Sequence, residues 1–399
     1  MARSMVQDFL FGPAASMHSN VISLLIGLCL FMGGCACVYW LLVVAAAWRF
    51  RAAAEPPADF TPPVSIFKPL HGLERDCHEL LAGFCRQDYP LYEVLFGVAD
   101  PEDPAVPIVR RLQAEFSSLS IHLLIADRRY GANKKVDSLD KMHREMRYDF
   151  LAASDSDMRV GPDYLRRIMA HFRDPQVGLV TCFYGAEPGG TLPSIFEAIG
   201  ITGEFHPSAM VARMLEGVKF AFGSTMATRK SLLEAVGGFP VMADASDDYE
   251  LGRRVAGLGQ RVVISPYVVH TVLPADTWRT MVQRQFRWTC CTHASRPKGH
   301  TGLILTYGFP FLLAALALAP HSGVIWGFLF TWLVLRLGAA WIANRLVLHD
   351  PVLDRYLLLT PLRDLLTFAM WAASFFYRRA IWRGEQIRLE NGKMRRYGL

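Results

Sequence analysis

No charged residue interrupts the chain between Val21 and Trp48. About 20 apolar residues in a helix cross the hydrocarbon of a bilayer, so this run is long enough to span. It also exceeds the core of a secretory signal, about 7–15 residues, and no small-residue cleavage site follows it. Arg49 and Arg51 come directly after. Cations gather on the cytoplasmic side of a span, so the chain after Arg51 is expected to face the cytoplasm. Residues 1–50 read as an N-terminal transmembrane anchor. Residues 51–63, with Pro56, Pro57, Pro62 and Pro63, read as a linker.

Composition locates the rest of the apolar excess. The chain is 52% apolar and only 20% charged, against about 25% charge in soluble domains. With 12% aromatic residues it can bury a large core, which excludes disorder. The net charge of +6 sits mostly in the tail, residues 378–399. There Arg378, Arg379, Arg383, Arg388, Lys393, Arg395 and Arg396 face only Glu385 and Glu390. Such a tail beside apolar segments reads as a cytoplasmic, lipid-facing anchor. No nucleic-acid partner is expected, because no basic–aromatic stacking pattern accompanies the charge. The eight cysteines are scattered without C-x-x-C or zinc spacing, which suits free thiols in a reducing compartment.

Residues 64–297 alternate short apolar runs with helical patterns. The strand candidates are Val64–Phe67, Val94–Val98, His122–Ile125, Phe150–Ala153 and Gly178–Phe183. Between them lie helical patterns at Glu74–Cys85, Ala105–Phe116, Lys134–Arg147 and Tyr164–Phe172. This alternation predicts an α/β domain with a mostly parallel sheet, whose ligands bind at the carboxyl ends of the strands. Residues 298–377 turn apolar again. Leu303–Pro320 carries no charge, and Gly323–Leu348 is interrupted by Arg336 and Arg345, which predicts contact with protein rather than lipid all round. Leu365–Tyr377 is too short to span and suits a re-entrant or interfacial helix. One N-terminal and two C-terminal spans return the basic tail to the cytoplasm.

Charged clusters fall at the strand ends. Asp100 follows the second strand, where a lone Asp equally suits a turn. Asp155 and Asp157 leave the fourth strand two residues apart, a spacing that can hold a divalent cation with positions left open for phosphate oxygens, or form a solvated turn. Ser246-Asp247-Asp248-Tyr249-Glu250 opens a helix, where an Asp can also be a cap. Arg284 and Arg287 stand at i and i+3, so both could address one diphosphate from a single helix face. A basic helix on the membrane surface is the other reading.

In this order, Asp100, Asp155, Asp248 and Arg284-x-x-Arg287-Trp288 resemble the membrane-bound, inverting GT-A glycosyltransferases of the ceramide glucosyltransferase family. Their pattern is three successive aspartates and then (Q/R)-x-x-R-W. Lys68–Gly72, Gln87–Pro90, Asn133–Lys135, Gly237–Gly238 and Trp382–Gly384 match as flanks. Animal members read D-S-G where this chain has Asp155-Ser156-Asp157. In look the chain is similar to the bacterial branch that glycosylates hopanoids.

The resemblance implies a GT-A α/β domain flanked by transmembrane helices in an inner membrane, multi-pass, with the catalytic part in the cytoplasm. It implies transfer from a UDP-sugar to a lipid hydroxyl: N-acetylglucosamine to a polyhydroxylated hopanoid, alternatively glucose to ceramide. A polysaccharide synthase shares the motifs but carries more spans. Asp155 and Asp157 would hold Mg²⁺ or Mn²⁺ against the diphosphate, with Arg284, Arg287 and Lys135 adding cationic donors. Asp100 would bind the nucleoside, Trp288 would pack on sugar or acceptor, and Asp248 would be the general base. Pro193–Leu215, with Glu197, Glu204, His206 and Arg213, is the candidate acceptor element. A nucleotidyltransferase would leave Arg284–Trp288 unexplained, and a membrane scaffold needs none of these clusters.

Overall fold

The computed structural model describes residues 2–131, 133–244, 246–377, 379–382, 385–390 and 393–396, with side chains from residue 20 to residue 377. Eight strands form one sheet in the order β3-β2-β1-β4-β7-β6-β8-β5. They are β1 (Val64–Leu70), β2 (Tyr92–Val98), β3 (Ser120–Ile125), β4 (Phe150–Ala153), β5 (Met158–Arg159), β6 (Val177–Glu187), β7 (Met226–Arg229) and β8 (Arg261–Val272). β1 pairs in parallel with β2 and β4, β2 with β3, and β6 with β8. β7 runs antiparallel between β4 and β6, and β5 antiparallel on β8. The expected mostly parallel sheet is therefore present, with two short reversed strands that apolar periodicity does not mark.

β1 is buried at every position, which is the pattern of a strand covered on both faces. Cys77–Cys85, Val106–Glu115 and Tyr164–Ala170 pack on one side around Leu81, Phe84, Val109, Leu112, Leu165 and Ile168. On the other side Leu139 and Met142, from helix Lys134–Glu145, meet Phe67, Leu95, Leu151 and Phe239.

The N-terminal helix runs from Ala2 to Arg51. Within it Asn20–Arg51 is long and apolar enough to cross a membrane, as is Gly323–Leu348. The Leu303–Pro320 run differs from expectation. It folds as Pro297–Thr306 and Gly308–Leu318, bent by 48° at a break, so it makes a third crossing only if the bent pair counts as one. The bend brings Gly308 against the N-terminal helix, where a Cβ would strike the Trp332 indole and Ala36. Arg336 meets the expectation of a protein contact. It is fully buried, its guanidinium donates to both Asp364 oxygens at 2.7 and 2.8 Å, and it lies 4.1 Å over the Trp40 ring.

The same apolar cluster holds Trp40, Ala47, Leu312 and Trp332 of the membrane-side helices and Phe183, Phe222 and Ile264 beside the sheet. The sheet edge is thereby fastened to the membrane-side bundle. The tail, expected as a lipid-facing anchor, contributes a second, antiparallel sheet of β9 (Arg379–Trp382), β10 (Glu385–Glu390) and β11 (Lys393–Arg396). Of the late Trp382–Gly384 motif, Arg383 and Gly384 lie outside the described residues, as does Arg378 of the basic tail.

Candidate active site

β4 and β1 end side by side, and their exits build the centre of the site. The Asp155 N–H donates to the Gly223 carbonyl at 2.9 Å, and the Ser154 N–H to the Phe67 carbonyl at 3.0 Å. Lys68, buried at the end of β1, donates its ammonium to the Asp155 carbonyl and lies 3.8 Å over the Phe84 ring. Burial pulls its pKa down to about 7, against the pull of Asp157 and Asp155. Asp157 accepts from the Thr271 hydroxyl at 2.8 Å. Burial first, then the charges of Asp155 and Glu74, push its carboxyl up to about 7.

The acidic cluster at residues 246–250 folds onto the same corner. Asp248 Oδ2 accepts from the Gly223 N–H at 2.9 Å, and Oδ1 accepts from the Ser246 hydroxyl and the Tyr249 N–H. Gly223 thus touches Asp155 through its carbonyl and Asp248 through its N–H. A Cβ at Gly223 would collide with Asp155 Oδ2, so this close approach requires glycine. Burial and then Asp247 raise the Asp248 pKa, with Lys135 opposing. Lys135 Nζ stands 2.7 Å from Asp155 Oδ1 and 2.7 Å from Asp247 Oδ2. Burial alone would lower its pKa, but the three aspartates outweigh burial and hold it raised.

Asp155, Asp157, Asp248 and Lys135 are therefore brought together. Asp100 is not among them. It lies exposed at the exit of β2, on the same sheet edge, and its side chain accepts from the Glu102 N–H at 2.9 Å in a turn. The two arginines of the late motif separate. Arg284 gives its Nε to Glu197 Oε1 at 2.8 Å and its Nη2 to Glu197 and Asp276. Arg287 instead neighbours Cys291, whose thiol is pushed up by burial and feels both Arg287 and Asp248. Arg287 and Asp248 both act on Cys291, whereas Arg284 is taken up by Glu197 and Asp276. Trp288 is half-buried on the same helix, Trp278–Ser295.

Several residues of the site lack a sequence signal of their own. Gly223 is one. Tyr184 is another: its ring packs on His206 and Phe222, and its hydroxyl is pushed up by burial and then by the charges of Asp248, Asp157 and Asp155. Lys68, Asn133 and Asp247 stood only within the flanking or cluster motifs.

Asp155 and Asp157 suit a divalent cation by their spacing and their burial. The two carboxylates stand two residues apart at one corner, and burial first, then the Asp155 charge, raise the Asp157 pKa; a cation would offset both. Among the described residues no group of three or more His, Cys, Asp or Glu could hold a metal ion. A cation here would need further oxygen ligands, of the kind that a diphosphate or water provides.

An α/β sheet with acids at its carboxyl edge and helices able to cross a membrane is the GT-A type of fold. It is shared with a mannosyltransferase from Pyrobaculum calidifontis, solved with GDP-mannose and Mn²⁺, at a TM-score of 0.52 and 19% identity over 89% of this chain and 93% of that one. The sequence model of glycosyl transferase family 21 matches residues 28–395, and the chain belongs to that family. Its relatives include ceramide glucosyltransferase 1 of Caenorhabditis elegans, 24% identical over 71% of this chain. The ceramide glucosyltransferase of Candida albicans is 31% identical over 26% of it. The match takes in 63% of the nematode protein's own length.

Proposed function

We propose that this protein transfers a sugar from a UDP-sugar to a hydroxyl of a membrane lipid, with inversion, and that the lipid is a ceramide. The observation that carries the reading is the Gly223 bridge. It sets a carboxylate of raised pKa, Asp248, beside the Asp155–Lys135 pair, on a sheet edge fastened to apolar helices. The ceramide glucosyltransferase relatives favour ceramide over the hopanoid as acceptor.

In this reading Asp248 accepts the acceptor's proton as the lipid oxygen bonds to the anomeric carbon. The bond from that carbon to the phosphate oxygen breaks, and UDP leaves with the electron pair. Lys135 and Arg287 stabilise the charge that develops on the diphosphate. A divalent cation on Asp155 and Asp157 would supply further positive charge there. Asp100 lies on the nucleoside side and Trp288 on the sugar or acceptor. Arg284 serves by holding its helix against the candidate acceptor element, since Glu197 belongs to helix Leu192–Gly200. A lipid acceptor leaves the bilayer at high cost, which explains why the site is carried beside membrane helices. The catalytic part faces the cytoplasm, where nucleotide sugars are made.

Purified protein in lipid vesicles, given radiolabelled UDP-glucose or UDP-N-acetylglucosamine with ceramide or a polyhydroxylated hopanoid, tests the proposal. Glucosylceramide is the expected product. Label found only in the hopanoid would replace the acceptor assignment, and a water-soluble polymer would replace the class.

A further inference from the structure

The Lys135 ammonium occupies the place where a cation would be sought. It touches a carboxylate oxygen of Asp155 and one of Asp247, and its side chain is only 13% exposed. The backbone sets this position. Asn133 caps helix Lys134–Glu145, accepting from the Lys135 N–H at 3.1 Å. The Asn133 N–H donates to the Ala243 carbonyl at 2.9 Å, and its side-chain amide donates to Asp247 Oδ1 at 2.9 Å. The start of the helix is thus tied to Ala243 and to the first turn of helix Asp247–Gly257, and Lys135 projects from its own first turn between the two acids.

An ammonium held this close to Asp155 opposes a second cation on the same carboxylate, since like charges repel most where solvent is scarce. A nucleotide diphosphate changes that balance. Its oxygens accept from the ammonium in place of Asp155 and supply ligands that two carboxylates alone lack.

We propose that Lys135 is a resident counter-ion that keeps a divalent cation off Asp155 until a nucleotide diphosphate arrives, so that cation and diphosphate bind together. This rests on the reading of the corner as a diphosphate site. The two bindings are then positively coupled, and by linkage each strengthens the other by the same factor.

The test is Mn²⁺ binding to the full-length protein in detergent. It is read from the electron paramagnetic resonance of free Mn²⁺, with and without UDP, after correction for Mn²⁺ held by UDP itself. Wild type should bind Mn²⁺ weakly alone and at least tenfold more tightly with UDP. Lys135→Met should bind Mn²⁺ at least tenfold more tightly than wild type without UDP, and Lys135→Arg should behave as wild type. Equal Mn²⁺ affinity of Lys135→Met and wild type overturns the proposal. So does a wild type that binds Mn²⁺ as tightly without UDP as with it, a result that needs no variant to fold. Because sugar transfer is not the readout, a protein that glycosylated no lipid would sink the proposed function and leave this measurement decisive for Lys135.

Discussion

Arg284 is held by Glu197, a carboxylate with no exposed surface, through Nε at 2.8 Å and through Nη2. Breaking one side of a buried pair leaves an uncompensated charge, at a cost of about 3–5 kcal/mol. Arg284→Ala should therefore lower unfolding stability by that order, measured by denaturant titration in detergent. The triple variant Arg284→Met, Glu197→Leu and Asp276→Asn, which leaves neither partner carboxylate charged, should recover most of it. A stable Arg284→Ala that has lost only UDP binding would return Arg284 to the diphosphate.

Gly223→Ala tests the bridge between the two key acids. The added Cβ must displace the Asp155 carboxylate, while the Gly223 N–H to Asp248 can persist. Turnover should fall by about 10²-fold, the loss that a misplacement near 1 Å produces. The melting temperature should move little. An active Gly223→Ala would show that the Asp155 carboxylate can shift without harm.

Asp248→Asn keeps the shape but cannot accept a proton. UDP-sugar binding should stay within a few-fold while turnover falls by about 10²–10⁴. Wild-type turnover should decline on acidification at a pH above the ordinary carboxylate range, because burial and Asp247 raise the Asp248 pKa. Asp247→Asn should do less to turnover. If Asp247→Asn alone stops it, the base is misassigned by one residue.

Chelation addresses the cation. EDTA should abolish transfer and Mn²⁺ or Mg²⁺ restore it, and Asp157→Gly should weaken that dependence while donor binding persists. Full activity in excess EDTA would leave Lys135 and Arg287 as the cations on the leaving group.

Two buried histidines make stability fall on acidification. Burial pulls His171 down to about 4 and His206 down to about 3, from an ordinary value near 6.5. Both are neutral in the fold, so their contribution is complete above pH 6.5. It is lost as pH falls from there toward their folded values, because only the unfolded chain gains the protons. Two such groups set a slope of up to about 3 kcal/mol per pH unit. His171→Gln should shrink the difference in melting temperature between pH 7 and pH 5. An unchanged difference would mean that His171 is protonated in the fold.

What a residue can do is written locally, and that much the amino-acid order determines by itself. Apolar runs marked β1, β2, β4 and β6 because burial on both faces demands them within a few residues, and marked the more exposed β3 as well. The charge-free run from Val21 demanded a spanning helix, and Arg336 and Arg345 within an apolar stretch demanded protein partners, which are Asp364 and Asp354. Asp155, Asp157 and Asp248 were readable as acids at strand and helix ends. Which group each residue meets is a different matter, decided by packing between distant segments. Arg284 and Arg287 look equivalent at i and i+3, yet it is Arg284 that Glu197, 87 residues earlier, holds. β7 has too few residues for a period and becomes a strand through its pairing with β4 and β6. Gly223 carries no motif, and its place between Asp155 and Asp248 exists only once two loops and a helix start meet. Hydrophobic periodicity acts along the chain, whereas ion pairs and close contacts act through space, and only the tertiary fold sets those distances.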